Sequence, residues 1–323
     1  MKRLSRLFQI SALAAMTVLG SVAHAQEYPN RPVSITVGMA PGGSNDTIAR
    51  LLAAQLQTRL GQPFVVENKP GANSTIATAD VKNAAPDGYR LMLVISSHVT
   101  NTMLYPKLGY KLEDFKPITV VADTPFLLVA NPKFEPNTVG ELIAYAKQAQ
   151  KSVDFGTPGM GSTQHIAMEL MDQMAGTTMN HIPYKGGAPA QTDLIGGIIP
   201  LIFATPTQSL PYIATGQLKA IGVTSKKRIK QLPDVPTLDE SGLPGYESSV
   251  WFGVVAPAGT PDDVINKLNK EIVSIINSDE MTKRLEELGL NPVGSTPQEF
   301  QTLLDSEKAK WADVIKTANI TMQ

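Results

Sequence analysis

Three short clusters hold the residue types that could do chemistry. Pro41-Gly42-Gly43-Ser44-Asn45-Asp46 joins an apolar run to an amphipathic one. Ser96-Ser97-His98 follows a second apolar run, and "GTPGMGSTQH" (156–165) follows a third. Glycine has no Cβ, so backbone N–H groups can point out of such a turn. A helix beginning there adds unpaired N–H groups and the positive end of its dipole, and the combination binds anions. In the first cluster Ser44 either caps the helix or donates its hydroxyl to a ligand. Asp46 suits the dipole but would repel an anion unless it turns aside to bond the loop backbone. In the second loop Gly159 and Gly161 free the backbone, and Ser162, Thr163 and His165 bring donors to a helix start. His165 reads equally as a satisfied structural group. Either loop alone could be a plain connector; two alike at similar topological positions favour binding.

Other chemistries lack their residues. There is no Gly-x-x-x-x-Gly-Lys-Ser/Thr run and no Gly-x-Gly-x-x-Gly, so the loops suit a carboxylate better than a nucleotide. No His-Glu-x-x-His supports zinc hydrolysis, and no Gly-x-Ser-x-Gly marks a hydrolase elbow. Ser96 and His98 could be read as a nucleophile and its base, but near neighbours in sequence rarely face each other that way; pocket-lining donors are the other reading. The expectation is a non-enzyme without metal or cofactor. Lys226-Lys227-Arg228 reads as a solvated loop.

Strand and helix signals alternate around these clusters. Strands are expected at Val33–Met39, Phe64–Glu67, Tyr89–Ile95, Pro125–Ala130, Val153–Gly156, His181–Tyr184, Ile198–Ala204 and Leu218–Thr224. Ile48, Leu51, Leu52, Leu56 and Leu60 recur at helical spacing, with Gly61 as the stop. Further helices are expected at 139–150, after His165 up to Gly176, and from Ala188-Pro189. Two more follow Thr260, as a capping threonine with Pro261 in the first helical position, and the capping box Thr296-Pro297-Gln298-Glu299. The alternation implies parallel sheets covered on both faces, with ligands at the carboxyl ends of strands.

The chain opens with Lys2, Arg3 and Arg6, an apolar run from Leu7 to Leu19, and Ala23-His24-Ala25. This is the pattern of a secretory signal peptide cut after Ala25. Cysteine is absent, which fits the periplasm and excludes disulfides and thiolate metal sites. Removing residues 1–25 leaves 25 basic against 29 acidic groups, a net charge of −4. That offers nucleic acid no global attraction. The remaining 298 residues suffice for two α/β domains with a cleft between them.

"YPNRPVSITVGMAPGGSNDTIARLLAAQL", "LGQPFVVENKPGA", "AAPDGYRLMLVISSH", "GSTQHIAMELM", "IPYKGGAPAQTDLIGG" and "PDVPTLDESGLPGYESSVWFGVVAPAGTP" occur in that order. As a set they resemble the Bug (Bordetella uptake gene) family, the TctC-like periplasmic receptors of tripartite tricarboxylate transporters. The resemblance implies a type II periplasmic binding fold: two α/β domains, 26–123 plus 250–323 and 124–249, closing on a ligand. It implies a carboxylate held by neutral donors of both loops: Pro41, Gly42, Gly43, Ser44 and Asp46 on one side, Gly161, Ser162, Thr163 and His165 on the other. Ser96 and His98 at a third strand end, with Tyr184 and Thr205, complete the implied set. The implied protein is a monomer that delivers a di- or tricarboxylate, acidic amino acid or aromatic carboxylate to an inner-membrane permease. The alternatives are presentation of the loaded receptor to a sensor kinase, and a secreted hydrolase. Departures from the family pattern at Met160, Pro200 and Ala204-Thr205 fall at the variable end of the pocket. Phe126 and Met160 are expected either to wall that end with apolar surface or to belong to the core.

Overall fold

The computed structural model describes residues 27–148 and 152–320. The expected leader and cleavage site, and the last residues of the helix expected at 139–150, lie outside them. Eleven strands are described: β1 Val33–Val37, β2 Phe64–Asn68, β3 Arg90–Ile95, β4 Phe115–Pro125, β5 Leu127–Ala130, β6 Asp154–Thr157, β7 Asn180–Pro183, β8 Leu201–Ala204, β9 Lys219–Val223, β10 Ser249–Pro257 and β11 Asn291–Pro292. The helices are α1 Ser44–Leu60, α2 Thr75–Lys82, α3 Ser97–Leu104, α4 Val139–Ala146, α5 Thr163–Ala175, α6 Gly187–Gly196, α7 Pro206–Ala214, α8 Asp262–Ile276, α9 Asp279–Glu287 and α10 Pro297–Thr317.

The strands form two sheets, ordered β11-β4-β10-β3-β1-β2 and β7-β6-β8-β5-β9. The first takes its strands from both ends of the chain and the second from the middle. Neither is purely parallel, which corrects the reading from alternation. β1 runs parallel to β2 and β3, but β10 lies antiparallel between β3 and β4. In the second sheet β6 is parallel to β7 and β8, whereas β5 is antiparallel to β8 and β9. The reversals at β5 and β10 come where the chain passes between sheets, and the short β11 pairs with β4 antiparallel as well. β4 ends at Pro125 and β5 begins at Leu127, so the expected single strand Pro125–Ala130 is two strands of different sheets. Phe126 between them is held by its amide, which donates to Thr224 Oγ1 at 2.7 Å. The return passes Ser248, whose amide bonds the Thr224 carbonyl, into β10.

The periodic side chains meet the core as their spacing demands. Ile48, Leu52 and Leu56 of α1 pack on Val33, Ile35 and Val37 of β1, all essentially inaccessible. Each such burial stabilises by roughly 1.5–3 kcal/mol. Gly61 ends α1 with φ 67°, where a side chain would be strained. The Thr296–Glu299 capping box forms as expected. Thr260 is not a cap: α8 starts after Pro261, and the Thr260 hydroxyl donates to the Pro257 carbonyl at 2.8 Å. α10 packs Phe300 and Leu304 against Met92 and Trp251 of the first sheet. Farther along, its Trp311, Val314 and Ile315 join Leu104 of α3 and Ile166 of α5 in one apolar cluster, so this helix touches elements attached to both sheets.

Candidate functional site

β1 delivers the chain into the first glycine turn. Gly42 takes φ 87°, and Gly43 (φ −82°, ψ 174°), rather than Ser44, is the N-cap of α1. Ser44 is the first helical residue, so of its two readings the capping one is not taken. Asp46 turns away from the mouth of the loop. Its carboxylate accepts the Gly42 amide, Arg50 Nε and Asn68 Nδ2, each at 3.0 Å. The Arg50 bond, aided by the Gly42 and Asn68 bonds against the cost of burial, lowers its pKa to about 2. Asp46 thus stays ionised, with its charge compensated by Arg50 and its oxygens turned to Gly42 and Asn68. The first amides of α1, those of Ser44 and Asn45 among them, have no intrahelical partner and no side-chain cap.

The second glycine turn follows the same plan. Gly161 takes φ 72°, and Ser162 caps α5 by accepting the His165 amide at 3.3 Å. His165 Nδ1 accepts the Gly161 amide at 3.1 Å. Nε2 therefore carries the ring proton and faces Glu169 Oε1 at 3.4 Å. In both turns a left-handed glycine just before the N-cap gives its N–H to the side chain of the third helical residue, Asp46 or His165. His165 is thus a brace of the loop and not a free donor to its mouth. Its ring stacks on His181 with centroids 3.7 Å apart, and His181 stacks on Phe155. Burial, then the neighbouring His165, depresses the His181 pKa to about 3, so that ring stays neutral. The Thr157 hydroxyl lies 2.6 Å from His181 Nε2.

Around the second turn, the carboxyl ends of β6, β7 and β8 feed α5, α6 and α7, whose caps are Ser162, Gly186 and Thr205. The Gly186 amide bonds the Pro158 carbonyl at 2.9 Å and ties the start of α6 to the loop. Tyr184 spends its hydroxyl on Asp193 at 2.8 Å; burial and that carboxylate push its pKa to about 12. The Thr205 side chain caps nothing and stays half-buried at the head of α7. Pro41 is exposed beside Gly42, and Thr163 is buried as the first residue of α5.

At the third strand end the side chains go elsewhere. Ser96 Oγ accepts the Trp251 amide at 3.1 Å. The His98 ring is stacked on Tyr110 and edge-on to Phe115 inside the core, with neither nitrogen bonded. Burial holds its pKa down at about 4. This corrects the expectation of a cleft-lining His98, and it also leaves Ser96 without a base. Phe126 is fully buried and belongs to the core, while Met160 is 47% exposed. Among the described residues no three His, Cys, Asp or Glu side chains group as metal ligands.

Sequence reading missed the turn 71–74. Gly71 is followed by Ala72, Asn73 and Ser74 with φ 44°, 51° and 72°. Three consecutive left-handed non-glycine residues cost about 1–2 kcal/mol each, so surrounding bonds must hold them. Two bonds join Asn73 and Asn101: Asn73 Nδ2 donates to Asn101 Oδ1 at 2.8 Å, and Asn101 Nδ2 donates to the Asn73 main-chain carbonyl at 2.9 Å. Asn73 Nδ2 also reaches the Gly161 carbonyl at 3.4 Å. The only local signal is the asparagine after Gly-Ala, a residue type that tolerates this backbone region.

Comparison with known proteins gives a consistent answer. Residues 48–320 match the family described as "TctC: Tripartite tricarboxylate transporter family receptor". Protein BugT of Bordetella pertussis is 36% identical over 317 residues, 97% of each chain. The solved structure of the R. palustris protein Rpa4515 with adipate superposes with a TM-score of 0.85 at 37% identity, covering 91% of this chain and 99% of that one. MatC from Rhodopseudomonas palustris with bound malate gives 0.80 at 31% identity, covering 89% and 100%. The periplasmic binding protein BugD gives 0.82 at 37%, covering 92% and 100%. By sequence and by fold, the chain belongs to the TctC family of tripartite tricarboxylate transporter receptors, which includes the Bug proteins.

Proposed function

We propose that this protein is a periplasmic receptor that captures a small carboxylate between the glycine turns of its two sheets and delivers it to an inner-membrane tripartite permease. One observation carries the reading. Two turns on different sheets share one design, in which Asp46 and His165 occupy the amides of Gly42 and Gly161, leaving uncapped the first helix amides, those of Ser44 and Asn45 in one turn and of Thr163 and Gln164 in the other. A carboxylate of two oxygens suits such paired helix starts. Charge-assisted bonds contribute about 1.5–3 kcal/mol each, so a few of them reach micromolar binding, roughly −8 kcal/mol, without lysine or arginine. The adipate and malate of the two structural relatives point to a dicarboxylate. The ligand set is Gly43, Ser44, Ser162, Thr163 and Thr205, with Gly42, Asp46, Gly161 and His165 shaping the turns. Domains 26–123 plus 250–323 and 124–249 close on the ligand about the β4–β5 and 247–251 crossings, with residues 1–25 removed on export.

The test is a thermal-shift screen on ligand-stripped protein with adipate, malate, tricarboxylates, acidic amino acids and aromatic carboxylates. A ligand at a hundred times its dissociation constant adds about 2.7 kcal/mol, which is readily visible. A flat response to every carboxylate overturns the reading.

A further inference from the structure

The turn Gly71–Ser74 stands between the two glycine turns and touches the base of each. Its Ser74 hydroxyl donates to the Gly38 carbonyl at 3.2 Å, just beyond the end of β1. The contact is close: a Cβ built on Gly38 would lie 2.4 Å from the Ser74 Cβ. On the other side Asn73 Nδ2 reaches the carbonyl of Gly161, within the second turn. Both ends of that contact are fixed. Gly161 is held by its own amide on His165, and Asn73 by its carboxamide donating to Asn101 Oδ1 and its main-chain carbonyl accepting Asn101 Nδ2. The two hydrogens of Asn73 Nδ2 are thereby assigned, one to Asn101 and one across to the second sheet.

We infer that Asn73 is a positioning residue, whose carboxamide sets the separation of the two glycine turns and so biases the cleft toward closure. A left-handed backbone is what aims it. A residue in ordinary helical or extended conformation at 73 would carry its side chain in another direction, which accounts for three adjacent non-glycine residues being kept at positive φ. The 3.4 Å contact lies at the outer limit of a hydrogen bond. A few tenths of an ångström of closing strengthens it and the same opening breaks it, so it responds to the movement a capturing cleft must make. The consequence for ligand retention rests on the carboxylate reading above; the separation of the turns does not.

The chain has no cysteine, so single cysteines at exposed Gln57 and Gln217 place one spin label beside each sheet. Double electron–electron resonance then reads the distance distribution without added ligand. Asn73→Gly tolerates the backbone angle and removes the amide. Asn73→Asp leaves the main-chain carbonyl that accepts Asn101 Nδ2 but turns both Nδ2 donations, to Asn101 Oδ1 and to the Gly161 carbonyl, into oxygen–oxygen contacts. Both variants are expected to melt cooperatively and to lower the ratio of closed to open distances about five-fold, the worth of one ordinary hydrogen bond. Distributions that superimpose on the parent in both variants overturn the inference, as does a parent with no closed population. Adipate is then added: faster release from the variants extends the inference to ligand retention. An adipate-blind parent counts against adipate as the ligand and leaves the ligand-free result standing on its own.

Discussion

Replacing Asp46 by asparagine tests whether the first turn is held by charge or by shape. The new amide oxygen can still accept the Gly42 N–H, but the ion pair with Arg50 at 2.9 Å is lost. The folded pKa of about 2, against an ordinary 3.8, corresponds to about 2.4 kcal/mol at 1.36 kcal/mol per unit. The Arg50 side chain is 55% exposed, so solvent screens the pair, and the expected loss is about 1–2 kcal/mol. The sign follows from linkage. A depressed carboxylate stabilises fully above its unfolded pKa, and the contribution fades as pH falls through the folded one. The gap between parent and Asp46→Asn should therefore be constant from pH 5 to 8, roughly halved by pH 3, and gone below about pH 2. Urea unfolding at these pH values measures it. A gap as large at pH 3 as at pH 7 would refute the electrostatic account and assign the loss to geometry.

Gly43→Val should abolish carboxylate binding by filling the mouth of the turn. Its φ of −82° and an open surrounding, with only the Ala40 carbonyl 4.0 Å from a new Cβ, predict little loss of stability; unchanged titration calorimetry would make the turn a connector. Gly61→Val, at φ 67°, should cost about 1 kcal/mol and spare binding. His98→Phe should raise stability by about 1 kcal/mol by removing a buried, unbonded ring. Because burial holds the His98 pKa near 4 against an ordinary 6.5, parent stability should fall as pH drops from 6.5 to 4 and the variant's should fall less; equal slopes in pH-dependent melting would count against this. Thr296→Ala removes the cap of α10 and should cost about 1 kcal/mol.

Local pattern made some elements legible and hid others. Ile48, Leu52 and Leu56 announced α1, and Gly61 and Gly176 marked helix ends that do take left-handed caps. Both glycine turns could be found because their glycines and hydroxyls are consecutive. β10 was missed because "SVWFGVVAP" lacks the polar–apolar alternation of a half-buried strand and carries Gly253 in its middle and Pro257 at its end. Its antiparallel setting is imposed by where the chain re-enters the first sheet, which no short window contains. His98 has the side chain of a ligand donor, yet Tyr110 and Phe115 close over it from farther along the chain. Conversely, the braces of the two turns follow from spacing: Gly42 to Asp46 and Gly161 to His165 are each four residues apart.

The place of β10 sets the order in which this protein can assemble. β10 separates β3 from β4 in the first sheet, although 123 residues of chain lie between the end of β4 and its own start. A chain emerging amino end first produces β1, β2, β3 and β4 early, but β3 and β4 have no partner for their facing edges until residues 249–257 arrive. The second sheet needs nothing beyond β9 and can form first. Such distant pairing slows folding. A growing or translocating chain therefore stays incompletely folded until the second sheet has passed, and agents that guard unpaired strand edges have their longest opportunity on its first 125 residues.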